Sequence, residues 1–156
     1  MVVERLAERW ELGRVRERFA GRLREGRAGR GGPRVALLEP LTFVNEAGRS
    51  VGPARGSYRL PLERVIVIHD EIDLSFGEVR SRVGGGLAGH NGLKSIKAAL
   101  GSGEFVRVRV GVGRPDSTDP EIVAGYVLSR FREPPADVGA LIDRACDAAA
   151  DVVLKG

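Results

Sequence analysis

The sequence predicts an α/β fold, and three features carry the prediction. Val65-Ile66-Val67-Ile68 is an unbroken apolar run, Phe105–Val112 alternates valines with two arginines and a glycine, and both ends carry segments whose apolar residues recur at helical spacing. Strands alternating with helical segments are the pattern of α/β proteins. At 156 residues the chain suits one domain spanning 1–156, and a domain of that size buries roughly 70% of the surface its unfolded form exposes.

Taken in order, Val2, Val3, Leu6 and Trp10 share one helical face while Glu4, Arg5, Glu8 and Arg9 take the other, so the chain starts in an amphipathic helix. Arg14–Arg30 is rich in Arg and Gly, with short apolar interruptions at Phe19-Ala20 and Leu23, and reads as a solvated hairpin rather than a nucleic-acid groove. Val35–Leu38, between Gly-Gly-Pro and Pro40, suits a buried strand. A helix is expected over Arg49–Arg59 although Gly52, Pro53 and Gly56 oppose it. The apolarity of Val65–Ile68 predicts burial on both faces, as in a parallel sheet.

Gly77–Val83 predicts an edge strand with Arg80 and Arg82 on one face. A helix over Leu93–Leu100 turns Leu93, Ile96 and Leu100 inward, and Gly101-Ser102-Gly103 stops it. In the strand Phe105–Val112, Arg107 and Arg109 present two guanidiniums on one side. A short packing element is expected in Asp119–Phe131 and an amphipathic helix over Asp137–Leu154, with Cys146 as a packing residue.

Composition narrows the function classes. Lys and Arg number 25 against 21 Asp and Glu, a net charge of +4, which is compatible with a polyanionic partner. Aromatics are only 5% of the chain, so stacking on an aromatic platform has few candidates and nucleic-acid contact should be mostly to phosphate. A lone cysteine excludes an internal disulfide and suits a reducing compartment. No apolar run approaches the roughly 18 residues of a membrane span, so the expectation is a cytoplasmic protein without a membrane partner.

Several motifs compete for the chemistry. Gly84-x-Gly86-x-x-Gly89 formally matches the dinucleotide fingerprint, but the strand before it carries Arg80 and Arg82 instead of a buried apolar run. Leu93 separates Gly92 from Lys94 and puts a phosphate-loop lysine out of register. His69, Asp70, Glu71 and Asp73 lack a further His or Cys to complete a metal site. Position says more: ligands of open α/β sheets bind beyond the carboxyl ends of strands. Asp70 sits at such an end, Asn45 follows another, and Asn91 lies on the glycine-rich turn. Two amides and a carboxylate gathered there would orient a carbonyl and a water. The only histidines, His69 and His90, each adjoin a candidate residue, and adjacency in an extended segment sends side chains apart, so neither is an easy base for Asp70.

Four segments carry a resemblance: Thr42-Phe43-Val44-Asn45, His69-Asp70-Glu71-Ile72-Asp73-Leu74, Gly89-His90-Asn91-Gly92-Leu93-Lys94-Ser95-Ile96, and Arg107 through Pro115. In order and spacing they closely resemble bacterial peptidyl-tRNA hydrolase, and the likeness continues through Val123–Phe131. The resemblance implies hydrolysis of the ester between a peptide and the 3′ end of tRNA, recycling tRNA from peptidyl-tRNA dropped by ribosomes. It implies no metal or other cofactor, and a monomeric, single-domain α/β/α sandwich around a mixed, largely parallel twisted sheet. By the same resemblance Asp70 stabilises the catalytic histidine, Phe43, Asn45 and Asn91 contact substrate, and Arg80, Arg82 and Arg109 meet acceptor-stem phosphates.

The chain also departs from the family. The family opens with a central strand, a Gly-Asn-Pro-Gly turn and an Arg-His-Asn segment supplying the catalytic histidine, whereas Met1-Val2-Val3 aligns with the helix just after it. Val44 replaces a usual Met, Ala88 a usual Gly, and the usual tail is cut short after Gly156. The expectation is a truncated chain, nearly inactive and marginally folded, whose N-terminally extended form is the working esterase. The alternative is a noncatalytic RNA-binding relative that keeps the basic surface without the base.

Overall fold

The computed structural model describes residues 2–87, 90–113 and 135–155. Helix α1, Val2–Arg9, buries Leu6 and Ala7, and its seam is closed by the last helix, α4, Pro135–Lys155. From α4 come Val138, Leu141, Ile142, Ala145, Cys146 and Ala149, all buried with Leu6 and Trp10 in one core. Arg5–Asp143 and Arg9–Asp147 pair along the rim at 2.8 Å each. Exposed pairs of this kind contribute about 0–1 kcal/mol each, so the apolar seam holds the helices together. Cys146 is fully buried there, as its packing role requires.

Among the described residues the strands form two three-stranded sheets. In the first, β1 (Arg16–Arg18), β2 (Gly21–Arg27) and β3 (Arg34–Pro40) run as an antiparallel meander. In the second, β6 (Val106–Gly111) is central, parallel to β4 (Ile66–Glu71) and antiparallel to β5 (Val79–Val83). Val35 and Leu37 of β3 and Ile66 and Ile68 of β4 pack on the α1/α4 core, so both sheets share it. A second core lies under α3, Asn91–Leu100, with Leu93, Ile96, Leu100, Val65 and Phe105 buried.

The α/β class holds, and so do the edge strand β5, helix α3 and the C-terminal helix. The mixed sheet is divided into two among the described residues, and parallel pairing there is confined to β4 and β6. Among the described residues β3 pairs only with β2 and β4 only with β6. That explains why neither is buried on both faces: β3 has no buried residue, and Ile66, Val67 and Ile68 are half-buried. Phe19-Ala20 is not an apolar interruption but the two-residue turn between β1 and β2, with φ of 56° and 52°. Positive φ at both positions is what tight hairpins demand, ordinarily from Asn or Gly.

The glycine- and proline-bearing segment does form a helix, α2, Gly48–Tyr58, with Pro53 inside it. Packing overrides propensity here. A Cβ on Gly48 would stand 2.3 Å from the Ser95 carbonyl oxygen and one on Gly52 3.3 Å from Ala99 Cβ, so the glycines let α2 approach α3 closely. The Gly48 amide also donates to Ser95 Oγ at 2.9 Å. Asp119–Phe131 lies outside the described residues, as do Ala88, Gly89, Arg114 and Pro115 of the motifs.

Candidate active site

The site is built where β4 ends and α3 begins. Alternation along β4 turns Val67, His69 and Glu71 to one side and Ile68 and Asp70 to the other. At the strand's end Asp70 clears the core and meets a residue twenty positions later: His90 Nε2 stands 3.0 Å from Asp70 Oδ1. His90 is also the N-cap of α3, its Nδ1 accepting the Leu93 amide at 3.2 Å. An amide only donates, so Nδ1 is unprotonated and the proton sits on Nε2, where it donates to Asp70. Burial pushes the Asp70 carboxyl upward, yet the His90 hydrogen bond and the neighbouring imidazoles outweigh it and hold the carboxyl below its ordinary value.

That junction gathers the two asparagines. Asn91 is the first residue of α3, exposed beside His90. The short 3-10 turn Val44–Glu46 packs on α3, and a Cβ on Gly92 would stand 3.2 Å from Val44 Cγ1 and 2.9 Å from His90 Cε1. Glycine at 92 therefore lets the Asn45 turn dock against the start of α3. Asn45 is exposed next to Val44, and Phe43, 79% exposed, stands at the mouth of a shallow cleft with Leu41, Thr42, Glu46 and Arg49. An apolar ring left in solvent beside polar groups is a binding feature rather than a packing one.

The arginines divide by environment. Register places Arg80 opposite Arg109 and Arg82 opposite Arg107, two like-charged pairs on one face. Arg107 is not a surface residue: it is 2% exposed and donates to the Gly86 carbonyl at 2.7 Å and the Gly103 carbonyl at 3.0 Å. Arg109 is neutralised by Glu71, through bonds of 3.1 and 2.9 Å to one carboxylate oxygen. Arg80 pairs loosely with Glu78 at 3.4 Å, while Arg82 is exposed without an ion pair among the described residues. Arg82, Arg107, Arg109 and Glu71, with His69 and Gly86, line a cavity of about 230 Å3 on the face of the sheet away from Ile66 and Ile68.

The family model for peptidyl-tRNA hydrolase matches residues 1–156. The chain belongs to the peptidyl-tRNA hydrolase family. It is 45% identical over 148 residues to the peptidyl-tRNA hydrolase of Geotalea daltonii, covering 94% of this chain and 75% of that relative. To that of Sorangium cellulosum it is 48% identical over 131 residues, covering 84% of this chain and 58% of the relative. A crystal structure of peptidyl-tRNA hydrolase from Acinetobacter baumannii matches it with a TM-score of 0.83 at 33% identity, covering 99% of this chain and 77% of that one. The chain thus spans 58% to 77% of the length of these peptidyl-tRNA hydrolases.

The sequence reading missed the Asp70–His90 contact. Alternation along β4 does send His69 away from Asp70, but Asp70 and His90 lie twenty residues apart with β5 between them, so their contact is not written in neighbouring residues. The available signal was position: His90 directly precedes a helix, where a side-chain acceptor caps the first turn. His69 has a different environment. It is 9% exposed, its Nδ1 donates to the Asp70 carbonyl at 2.8 Å, its Nε2 has no partner among the described residues, and the ring lies 5.1 Å from that of His90. Burial lowers its pKa below 6.5, the Asp70 carbonyl opposing only in part.

The sign follows. The unfolded chain takes up a proton near pH 6.5 while the native ring resists, so this stability is present above that pH and lost as pH falls toward the folded pKa. Denaturant midpoints should therefore fall between about pH 7.5 and about pH 5.5, and His69→Gln should flatten the decline. An identical decline in the variant would exclude His69 as its source.

Proposed function

We propose that the chain acts on the ester joining a peptide to the 3′ end of tRNA, with Asp70, Asn45, Asn91 and Phe43 at the reacting end and Arg80, Arg82 and Arg109 toward the RNA. The observation that supports the reading is the junction itself: His90 bridges to Asp70 and directly precedes Asn91, and the Val44–Glu46 turn that holds Asn45 packs on α3. Exposed amides there can donate to the ester carbonyl and to the oxyanion formed when water adds to it, the interaction that strengthens toward the transition state. Collapse then breaks the bond to the tRNA 3′ oxygen, which takes a proton. Phe43 offers the peptide an apolar surface. Oδ1 of Asp70 is taken by His90, so stabilising a positively charged base falls to Oδ2. In this reading the protein works as a cytoplasmic monomer of one domain, without a metal.

One observation favours a second reading, RNA binding without turnover. Of the two histidines, His90 has both ring nitrogens committed and His69 is buried with Nδ1 bonded to backbone. Neither presents a lone pair to a water beside Asp70. Incubating the chain with a peptidyl-tRNA carrying a labelled peptide separates the readings. Peptide release dependent on Asp70 is the expected result, tight binding without release selects the second reading, and absence of binding overturns both.

Arg80→Ala combined with Arg82→Ala should weaken tRNA binding and reduce the slope of log affinity against log salt by roughly 0.7–0.9 for each phosphate that the variant no longer neutralises. Arg82 should contribute more than Arg80, which Glu78 already partly neutralises. A slope unchanged in the double variant would remove β5 from the RNA surface.

A further inference from the structure

The excess positive charge of the protein is concentrated away from the site arginines. Residues 14–40, the first sheet and its connections, hold eight arginines against Glu17, Glu25 and Glu39, a net +5 where the whole chain is +4. Outside this sheet the chain is close to neutral. Arg14, Arg18, Arg22, Arg27, Arg30 and Arg34 are all exposed. Among the described residues none of the six is ion-paired, Glu25 being taken by Arg16.

Charged side chains on an edge strand discourage strand addition, and β1 alone would need no further explanation. The far end of the sheet is different. Arg27 lies directly opposite Arg34 in the register, with Arg30 in the intervening turn. Like charges facing each other across a ladder are destabilising, and an external anion would relieve them.

Placement indicates which anion. The β1–β2 turn abuts the site: the Leu41 amide donates to the Ala20 carbonyl at 2.9 Å, one residue before the Thr42–Asn45 segment. Phe19 is fixed there by an edge contact with Tyr58 at 6.1 Å, with the Arg18 guanidinium 4.5 Å from the Phe19 ring centre. From that turn β2 runs seven residues to Arg27, about 20 Å at the usual rise of a strand. Arg18, Arg27 and Arg34 fall on one face of the sheet and Arg22 on the other, so the first three mark a stripe that starts beside the substrate loop and leads away from it, long enough to follow several phosphates of one strand.

We propose that this stripe binds the sugar-phosphate backbone of the substrate's RNA body, beyond the 3′ end held at Asp70. Arg18 lies nearest the site, Arg14 follows Gly13, whose amide meets the Glu25 carbonyl part-way along β2, and Arg27, Arg30 and Arg34 lie farthest out. The proposal rests on the hydrolase reading for the identity of the RNA and adds a second contact surface to it, on a different sheet from Arg80, Arg82 and Arg109.

Two variants of the whole chain test it, Arg14→Gln/Arg18→Gln and Arg27→Gln/Arg30→Gln/Arg34→Gln. The probes are labelled uncharged tRNA and a short single-stranded oligonucleotide matching its 3′ end. Each variant should bind whole tRNA about ten-fold or more weakly, with a salt slope smaller by roughly 1.5 to 2, and bind the oligonucleotide as wild type does. Lysine versions of the same variants should restore both affinity and slope. The proposal is overturned if the glutamine variants keep the wild-type slope, or if the lysine versions are as weak as the glutamine ones, since the role would then be structural. Wild type that holds whole tRNA no more tightly than the oligonucleotide overturns this proposal and leaves the hydrolase reading standing. Wild type that binds neither RNA overturns both.

Discussion

Asp70→Asn should lower peptide release from peptidyl-tRNA by roughly 10²- to 10³-fold, about 3–4 kcal/mol of transition-state stabilisation, with little change in stability. The substitution separates two properties of one side chain. Asparagine keeps an oxygen that can accept from His90 Nε2, so the 3.0 Å contact that anchors the strand end to α3 has a replacement. What disappears is the negative charge, which in this reading stabilises positive charge developing on a base in the transition state. Asp70 is held below its ordinary carboxylate value because the imidazole contacts outweigh burial, so the wild-type rate should not decline until pH falls through that depressed value. The contrasting variant is His90→Asn, which can still cap α3 but is too short to hold Asp70; it should lose stability as well as rate. Release by Asp70→Asn within a few-fold of wild type would remove the carboxylate from the chemistry.

The sequence made the candidate residues legible and left their wiring hidden. Asp70 at a strand end, Asn91 before an apolar helix and Asn45 after a strand are one-dimensional signals, because strand and helix periods are written in neighbouring residues. The α3 and α4 boundaries came from the same source. The His90 bridge did not, since it joins residues twenty apart across the segment that holds β5, whose path depends on how α3 packs. Arginine identity was equally ambiguous. The alternation in β6 placed Arg107 and Arg109 on one face, but not that the first would be sealed beneath the glycine-rich turn and the second neutralised by Glu71. The division of the sheet and the half-burial of β3 and β4 follow from which strands pair, information that apolar runs alone do not hold. Helix α2 and the Phe19-Ala20 turn illustrate the converse, where tertiary contacts hold residues in conformations that their own preferences oppose.

Arg107→Met should destabilise the fold by about 3–5 kcal/mol, a shift of roughly 10 °C in the thermal midpoint for a domain of this size. Arg107 is the largest fully buried side chain among the described residues, and its guanidinium bridges carbonyls from two separate turns, at Gly86 and Gly103, while lying 4.9 Å from the Phe105 ring centre. Methionine fills much of the volume but donates nothing, so two charge-assisted hydrogen bonds of about 1.5–3 kcal/mol each disappear and both carbonyls face an apolar side chain. Two effects reduce the loss. Nε of Arg107 is already unpartnered in the native state, and burial together with the charge of Arg82 opposes the ionised form. Arg82 is exposed, however, and repulsion from a solvated charge is worth only about 1 kcal/mol or less, so the hydrogen bonds decide the sign. Arg107→Lys should fall between wild type and methionine, because one ammonium on a flexible stem does not hold two carbonyls in a fixed fork. The released Gly86 turn also carries Leu87, which packs on the second core beneath α3. The loss should therefore spread to the start of α3, with faster amide exchange at His90 and Leu93 than at the α1/α4 seam. Denaturant unfolding of Arg107→Met within 1 kcal/mol of wild type would make the buried guanidinium a spectator, and uniform exchange across both cores would detach it from the site it sits behind.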